Sequence, residues 1–252
     1  MLQLEFGSRR LVARWWMAAL TLFGVVMFLE LGVWQWHRAA EKRAMAAAFA
    51  LGSAGPAEPL GGRSAAQLAR YTQLRVTGRY DAAHQFLLDN MSFGGRTGYE
   101  VLTPLRLEDG RLLLVNRGWI ELPAGRRDRA PDIDIAVTAP TGRAAPVDIM
   151  GRLDTLPVTG LALGRAAPTR DGLWPKRTSF PTMDELEAAL GQKLEARQLL
   201  LSPDAPDGYG REWHSAAAGF GPERHVAYAI QWWGFAALCL FLFVFMNLEP
   251  RP

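Results

Sequence analysis

The sequence contains almost no cysteine and very little lysine. Cys239 is the single cysteine among 252 residues, and it lies inside an apolar stretch near the C-terminus. With no second thiol, the chain cannot form an internal disulfide or a Cys-x-x-Cys pair, which argues against thiol redox chemistry and thiolate copper delivery. The basic residues are nearly all arginines, scattered singly, and the net charge is only +3. We therefore predict no nucleic-acid partner.

Catalytic signatures are missing as well. The sequence has no Gly-x-Ser-x-Gly elbow, no His-Glu-x-x-His motif, no P-loop and no Gly-x-Gly-x-x-Gly after a predicted strand. The histidines are His37, His84, His214 and His225, so a hydrolytic triad has few candidate bases. These absences predict a binding or assembly protein rather than an enzyme. A membrane-tethered hydrolase built from scattered Ser, Asp and His is the weaker alternative, because no nucleophile motif supports it.

Two long apolar runs stand near the ends of the sequence. Trp15 to Trp36 contains only Thr21, Glu30 and Gln35 as clearly polar residues. As a helix, these about 22 residues span roughly 33 Å, enough to cross the hydrocarbon core of a bilayer. Val226 to Leu248 is a second run of similar length. Tryptophans at the ends of the first run and at the start of the second are typical of membrane interfaces. We predict two transmembrane helices.

A cleaved signal peptide is the competing interpretation of the first run. Ser8-Arg9-Arg10-Leu11 resembles a twin-arginine start, and Ala44-Met45-Ala46 has the small residues of a cleavage site. The apolar core of a signal peptide is usually about 7–15 residues, however, which is shorter than this run. We therefore expect the helix to be retained. The short polar N-terminus leaves no room for a mitochondrial transit peptide, which indicates a bacterial protein.

Charge does not decide the orientation of the two helices. Two crossings place both termini on one side of the membrane, but equal numbers of basic residues flank the first helix. These are Arg9, Arg10 and Arg14 before it and Arg38, Lys42 and Arg43 after it. The positive-inside rule is therefore tied.

The segment between the two runs changes to short alternating stretches separated by turn residues. The predicted strands are Leu74–Tyr80, Phe86–Asp89, Tyr99–Leu107, Arg111–Ile120, Val147–Leu153 and Gln198–Leu201, with another expected within Gly172–Phe180. Asp109-Gly110 is a strong hairpin-turn signal. Thr182 with Glu185 predicts a capping box that starts a helix over Met183–Leu190. Ser202–Pro222 is expected to be a loop.

These elements predict an α+β membrane protein, in which two transmembrane helices bracket an antiparallel, β-rich, barrel-like domain. Closure of the sheet is expected because open edges beside a membrane promote association. The expected ranges are an N-terminal segment 1–14, helix 15–36, helical extension and linker 37–63, β-rich domain 64–222, helix 223–248 and C-terminal segment 249–252. Within 37–63, Ala39–Ala50 is the expected extension and Leu51–Arg63 the linker.

Histidines mark the ends of both predicted membrane helices at one face of the membrane. On the second helix, His225, Tyr228 and Trp232 fall at i, i+3 and i+7, which is one face. Iron takes a His ligand, aromatic rings pack on the macrocycle, and an arginine such as Arg224 pairs with propionates, so this pattern suits a haem. The alternative interpretation is that His225, Tyr228 and Trp232 are ordinary interfacial residues of an aromatic belt.

Two other groups of residues have less specific interpretations. On the first helix Glu30, Trp34, His37 and Glu41 form a stripe, and Glu30 is either functional or close enough to the interface to reach it. Asn116-Arg117-Gly118-Trp119 closes a predicted strand. Taken alone, that segment favours structural roles: Gly118 for a bulge or close approach, Trp119 as a core anchor and Arg117 in a salt bridge.

Several of these motifs, in this order, resemble the surfeit locus protein 1 family. The matching segments are Leu31-Gly32-x-Trp34-Gln35-x-x-Arg38-x-x-x-Lys42, Val76-x-Gly78-x-Tyr80, Gly98-Tyr99-x-Val101-Leu102-Thr103-Pro104-Leu105, Leu114-Val115-Asn116-Arg117-Gly118-Trp119 and Pro222-x-x-His225-x-x-Tyr228-Ala229-Ile230-Gln231-Trp232. The first segment supplies the motif residues Trp34, Gln35 and Arg38, and the fourth supplies Asn116 to Trp119. The resemblance covers nearly the whole length.

The resemblance implies a non-enzymatic assembly factor for a haem-copper cytochrome oxidase. It implies both termini in the cytoplasm, the domain in the periplasm, and residence in the bacterial inner membrane. It implies as partners the catalytic subunit of the oxidase and the haem A synthase, with haem A as the cofactor. His225 maps onto the histidine linked to haem iron in bacterial members, with Tyr228, Trp232 and Arg224 as the surrounding site. A scaffold that stabilises the oxidase subunit without binding haem stays as the alternative.

Overall fold

The computed structural model describes residues 2–6, 9–121, 145–158, 164–213 and 221–250. The helices are α1 (Trp15–Ala54), α2 (Met183–Leu190) and α3 (Pro222–Asn247), with a 3-10 helix at Ala65–Gln67. The strands are β1 (Leu2–Phe6), β2 (Arg9–Ala13), β3 (Glu58–Pro59), β4 (Gln73–Tyr80), β5 (Phe86–Phe93), β6 (Arg96–Leu107), β7 (Leu112–Glu121), β8 (Val147–Asp154), β9 (Lys176–Thr178), β10 (Gln198–Leu201) and β11 (Leu248–Pro250). Residues 1–47 with 215–252 form one compact unit, and residues 48–214 form a second.

The first unit contains α3 and most of α1. Both α1 and α3 are long and apolar enough to cross a membrane, and only 11% of the most apolar window of each is buried within the chain. These helices are compatible with a membrane protein, because their exposed apolar side chains need lipid or a partner rather than water. Helix α1 continues through the expected extension and beyond it: Leu51–Ala54, expected to be linker, are helical. The helix ends before Gly55-Pro56, since a proline disfavours helical geometry in the preceding residue.

Helix α3 begins earlier than the second apolar run. Pro222 is its first residue, where the fixed φ and the missing N–H of proline suit a helix start. Arg224 and His225 lie within the first turn of α3, inside the helix expected over 223–248. The expected loop over Ser202–Pro222 holds for residues 202–213, which carry only an isolated bridge at Gly210. Residues 214–220 of that expectation lie outside the described residues.

The terminal segments form a small sheet that the sequence did not indicate. Strand β2 is antiparallel to β1 on one side and to β11 on the other. Because β2 directly precedes α1 and β11 directly follows α3, the shared sheet joins the N-terminal end of α1 to the C-terminal end of α3. Leu11 and Ala13 of β2 are buried.

The second unit contains an eight-stranded sheet in the order β3-β4-β8-β10-β7-β6-β5-β9. Strand β4 also pairs with β6, through Gly78, Arg79 and Tyr80 opposite Leu107, Arg106 and Leu105. Strands β4, β8, β10, β7 and β6 are therefore linked in a continuous circuit of pairings. The barrel-like shape expected from the sequence stays a prediction, and this circuit is the feature that supports it.

The expectation of an antiparallel sheet was wrong for three strand pairs. Strands β10 and β7, β3 and β4, and β5 and β9 pair in parallel, so the sheet is mixed. Alternation of apolar and polar residues indicates which face of a strand is buried. It does not indicate whether the neighbouring strand, which can be distant in sequence, runs parallel or antiparallel. The pairing of β10 with β7 joins residues about 80 positions apart, and no local signal could predict it.

The predicted strands are present, with differences at their ends. The Asp109-Gly110 turn joins β6 to β7, and Gly110 adopts φ 87°. Strand β5 extends to Phe93 beyond the expected Asp89, because an irregularity with Asn90 at φ 62° lets pairing with β6 resume. The strand expected within Gly172–Phe180 is limited to the three residues of β9. Both halves of the predicted capping box at Thr182 and Glu185 are formed.

Strand β7 lies between two hydrophobic clusters. Leu113 and Val115 contribute to one cluster with Leu74 and Ile149, while Leu114 contributes to a second that includes Leu186 of α2. A strand buried on both faces has a continuous apolar run rather than an alternating one. The Leu112–Val115 run has this pattern, and every residue from Leu112 to Trp119 is buried.

Replacing Gly78 with alanine should weaken the pairing of β4 with β6. A Cβ atom at position 78 would lie 2.6 Å from the carbonyl oxygen of Arg106 and 2.8 Å from Cγ of Leu105. Crowding of this kind in a packed region costs about 1–3 kcal/mol. We expect Gly78→Ala to lower the thermal unfolding midpoint of the full-length protein in detergent.

Gly62→Ala is the matched control, because a Cβ atom there would meet nothing within 4 Å. Equal unfolding midpoints for the two variants would show that the contact between β4 and β6 is not required for stability.

Candidate functional site

Small residues bring α1 and α3 close together. Gly32 faces Trp233, and a Cβ atom at position 32 would overlap the indole ring. Ala39 of α1 and Ala229 and Ala236 of α3 are buried. Glycine and alanine at such positions allow close helix approach in membranes, where packing and hydrogen bonds replace the hydrophobic effect between helices. The two helices run antiparallel, because positions rising along α1 meet positions falling along α3.

Aromatic rings fill the space beside this contact. Phe28 stacks on Trp232, with ring centroids 5.7 Å apart and an interplanar angle of 19°. Phe28 also meets Phe235, and Trp36 packs against Trp233 with centroids 6.0 Å apart. Such ring pairs contribute about 0.5–1.5 kcal/mol each beyond their buried area. They fix the relative rotation of the two helices.

A hydrogen bond joins the helices at His225. Its Nδ1 atom lies 2.7 Å from Oε1 of Gln35. An amide oxygen only accepts hydrogen bonds, so with this orientation of the amide the contact requires a hydrogen on Nδ1. In a neutral imidazole the other nitrogen, Nε2, then carries the free lone pair. His225 is partly exposed, and the side of its ring that holds Nε2 points away from Gln35.

The remaining residues predicted for this site differ in their surroundings. Trp232 packs into the helix pair against Phe28, on the same face of α3 as His225. Tyr228 keeps 42% of its surface exposed, and Arg224 is exposed in the first turn of α3. His225, Tyr228 and Trp232, the three positions expected to share a face, thus form a partly open surface on which Trp232 is half-buried.

The motif residues of α1 divide between two faces. Gly32 and Gln35 face α3, whereas Trp34 is 59% exposed. Arg38 is also exposed, and its Nη1 atom lies 2.7 Å from Oε2 of Glu41. The stripe of Glu30, Trp34, His37 and Glu41 is exposed along its whole length. It therefore lies outside the face that packs against α3. The sequence motif assigns Gln35 no role of its own, although its place as one of three clearly polar residues in the first apolar run was a signal.

The arrangement fits a haem bound through one histidine. The described residues contain no group of three or more His, Cys, Asp or Glu side chains that could hold a bare metal ion. Haem iron needs no such group, since the macrocycle supplies four nitrogens and the protein only an axial ligand. His225 offers an imidazole whose other nitrogen already has a partner, which is the usual state of a metal-binding histidine.

The other histidines have different settings. His84 belongs to the second unit, where its Nδ1 contacts both carboxylate oxygens of Asp81 at 2.8 Å and its ring packs edge-on against Trp174. His37 is exposed on α1. His214 lies outside the described residues.

In the second unit, Arg117 is the largest fully buried side chain. Its Nε donates to the carbonyl oxygen of Asp207 at 2.8 Å, and Nη1 lies 3.5 Å from Oε1 of Gln85. The guanidinium also lies over the rings of Tyr209 and Tyr80, at 4.9 Å and 5.5 Å. Burial raises the pKa of Tyr80 to about 12, so its hydroxyl stays neutral. Aromatic faces and carbonyl oxygens thus stabilise a buried cation.

Asn116 connects three strands through its side chain. Its Nδ2 donates to Oε2 of Glu100 on β6 at 2.7 Å and lies 3.4 Å from Oε1 of Gln198 on β10. Its Oδ1 accepts from the N–H of Gly118 at 3.1 Å. These bonds satisfy a buried amide that would otherwise be costly.

Gly118 and Trp119 hold the segment that follows β10 against the end of β7. Gly118 has φ 108°, and a Cβ atom there would lie 2.7 Å from the carbonyl oxygen of Gly210. The backbones of Trp119 and Gly210 exchange two hydrogen bonds, at 2.7 Å and 3.0 Å. The indole N–H of Trp119 donates to the carbonyl oxygen of Met91 at 3.0 Å. The expected close approach at Gly118 and the anchoring role of Trp119 are confirmed.

In sequence order, a sheet-rich unit separates two long apolar helices, and a partly exposed histidine lies at the contact between those helices. The chain belongs to the SURF1 family, whose model matches residues 22–237 and therefore most of its length. This is the surfeit locus protein 1 family that the motifs resemble. It is associated with cytochrome c oxidase assembly and is not known for catalysis. No curated protein matches the chain.

Replacing Glu100 with glutamine should stabilise the protein at neutral pH. Burial raises the pKa of Glu100, although the hydrogen bond from Asn116 partly opposes this. At pH values between the pKa of Glu100 in the unfolded state, about 4.3, and its higher pKa in the folded state, the folded protein holds a proton that the unfolded protein has lost. The free energy of unfolding therefore falls as the pH rises through this range. Glutamine carries no charge and still offers an acceptor to Asn116. We expect Glu100→Gln to raise the unfolding midpoint at pH 7 and to lose this advantage below about pH 4.

Glu108→Gln controls for the loss of one negative charge, because Glu108 is exposed in the turn between β6 and β7. An advantage for Glu100→Gln that is equal at pH 4 and pH 7 would contradict the assignment of a raised folded pKa.

Proposed function

We propose that this protein assists maturation of the catalytic subunit of a haem-copper cytochrome c oxidase by holding haem A for insertion. Membership of the SURF1 family supports the oxidase as client. His225 supports the haem, because its Nδ1 is bonded to Gln35 and its Nε2 is left as a ligand atom. In this proposal haem A is the cargo, received from the haem A synthase and delivered to the oxidase.

The other residues of the site have distinct roles in this proposal. Tyr228, with 42% of its surface exposed, offers a ring against the macrocycle one turn from His225. Trp232 bounds that surface on the side where its ring stacks on Phe28. Arg224 provides a cation for a propionate at the polar end. No bond in the cargo is made or broken apart from ligation, so the role requires no catalytic group.

The proposed location is the bacterial inner membrane, with α1 and α3 crossing it and the sheet-rich unit in the periplasm. The length and apolarity of both helices support the crossing. The sheet formed by β1, β2 and β11 supports placing both chain ends on one side. The family resemblance supports the cytoplasm as that side.

A scaffold that stabilises the oxidase subunit without binding haem is the second candidate. Its support is the exposed surface of the helices, since only 11% of each apolar window is buried by the residues that the structure describes. Membrane helices of the oxidase subunit would cover that surface by the same small-residue and aromatic packing that joins α1 to α3.

His225→Ala should abolish oxidase maturation while leaving the protein in the membrane. We expect membranes of a deletion strain to lose the a-type haem signal in a reduced-minus-oxidised spectrum, together with oxidase activity. The wild-type gene should restore both, and the His225→Ala variant should restore neither, because the ligand atom is missing.

His37→Ala is the matched control, since His37 is an exposed histidine at the same predicted interface. Full restoration by His225→Ala would rule out the ligand role. Loss of oxidase with a purified protein that never carries haem would select the scaffold instead.

A further inference from the structure

The hydrogen bond between Gln35 and His225 joins two residues 190 positions apart. Gln35 is one of only three clearly polar residues in the first apolar run, where an amide without a partner is unfavourable. The contact satisfies that amide oxygen and orients the imidazole at the same time. We infer that Gln35 is a positioning residue that keeps the hydrogen of His225 on Nδ1 and so presents Nε2 as the ligand atom. This inference rests on the proposed function for its haem-binding part alone.

The chemistry of the acceptor selects the tautomer. The amide oxygen of Gln35 cannot donate, so with the amide in this orientation the contact is favourable when Nδ1 carries a hydrogen. The alternative neutral tautomer would require the Gln35 amide to turn so that its NH2 group donates to Nδ1, and it would occupy Nε2 with hydrogen. A ligating nitrogen must be free of hydrogen, so the alternative tautomer cannot bind iron through Nε2.

The helix contact fixes the distance between the two side chains. Gln35 follows Gly32 by three residues and lies on the same face of α1. The packing of Gly32 on Trp233 and of Phe28 on Trp232 sets the separation of the helices on this face. Gln35 therefore meets His225 without a rearrangement, as a supporting residue should.

An amide is a suitable partner for a ligand that must release its cargo. A carboxylate on Nδ1 raises the basicity of a metal-bound histidine and strengthens its hold on the metal. The neutral amide oxygen orients the ring with a weaker effect of this kind. Gln35 thus orients the imidazole of His225 and still allows the haem to be released.

The first test measures the tautomer without haem. Full-length protein in detergent, labelled with ¹⁵N-histidine, is studied by NMR at about pH 8.5, above the ordinary histidine pKa of about 6.5. The signals of His225 are assigned by their loss in His225→Ala. We expect the wild type to hold its hydrogen on Nδ1, Gln35→Leu to give a mixture of tautomers, and Gln35→Glu to keep the Nδ1 tautomer because it retains the acceptor.

The second test measures haem affinity by titrating purified full-length protein with hemin and following the Soret band. Removing a partner of this kind typically costs 10–100-fold in metal affinity, so we expect Gln35→Leu to raise the dissociation constant by about that factor. Gln35→Glu should bind at least as tightly as the wild type. Gln231→Leu is the matched control, because Gln231 is exposed on α3, and its affinity should equal that of the wild type.

The two tests separate the inference from the function on which it rests. An Nε2-protonated His225 in the wild type, or a tautomer unchanged in Gln35→Leu, would overturn the inference even if haem binds. Equal hemin affinity for wild type and Gln35→Leu would overturn the positioning role. A tautomer that shifts as expected in a protein that binds no hemin would refute the proposed haem function while upholding the part of the inference that concerns the imidazole.

Discussion

The close contact between α1 and α3 at Gly32 is the constraint on which the candidate site depends. Only a residue without a side chain lets the indole of Trp233 lie against α1. That approach brings Phe28 onto Trp232 and Gln35 to within 2.7 Å of Nδ1 of His225. Two residues of the Leu-Gly-x-Trp-Gln segment therefore act together. Gly32 sets the distance between α1 and α3, and Gln35, one turn later, contacts His225 across that distance.

The second unit depends on a different kind of interaction. Arg117 and Asn116 place a charge and an amide inside the sheet, where each bond to Asp207, Glu100 or Gly118 replaces water. Buried polar networks of this kind favour one arrangement of strands, because any shift leaves costly groups without partners. The network holds the end of β7 to β6 and to the segment around Gly210.

Local patterns predicted most of the elements but not how distant ones meet. The capping box at Thr182 and the Asp109-Gly110 turn are local devices, and both are present as expected. The parallel pairing of β10 with β7 and the sheet joining β2 to β11 depend on residues far apart in sequence. Apolar periodicity likewise placed His225, Tyr228 and Trp232 on one face, but it could not show that Glu30, Trp34 and His37 lie away from α3.

The sequence by itself determined the two apolar helices, the β-rich segment between them and the family, because length, periodicity and motif order are local or linear properties. Tertiary structure alone decided that Gln35 meets His225 and that Arg117 lies among Tyr80, Tyr209 and Gln85. A hydrogen bond requires two atoms within about 3 Å, and only the packing of helices and strands brings residues so distant in sequence to that separation.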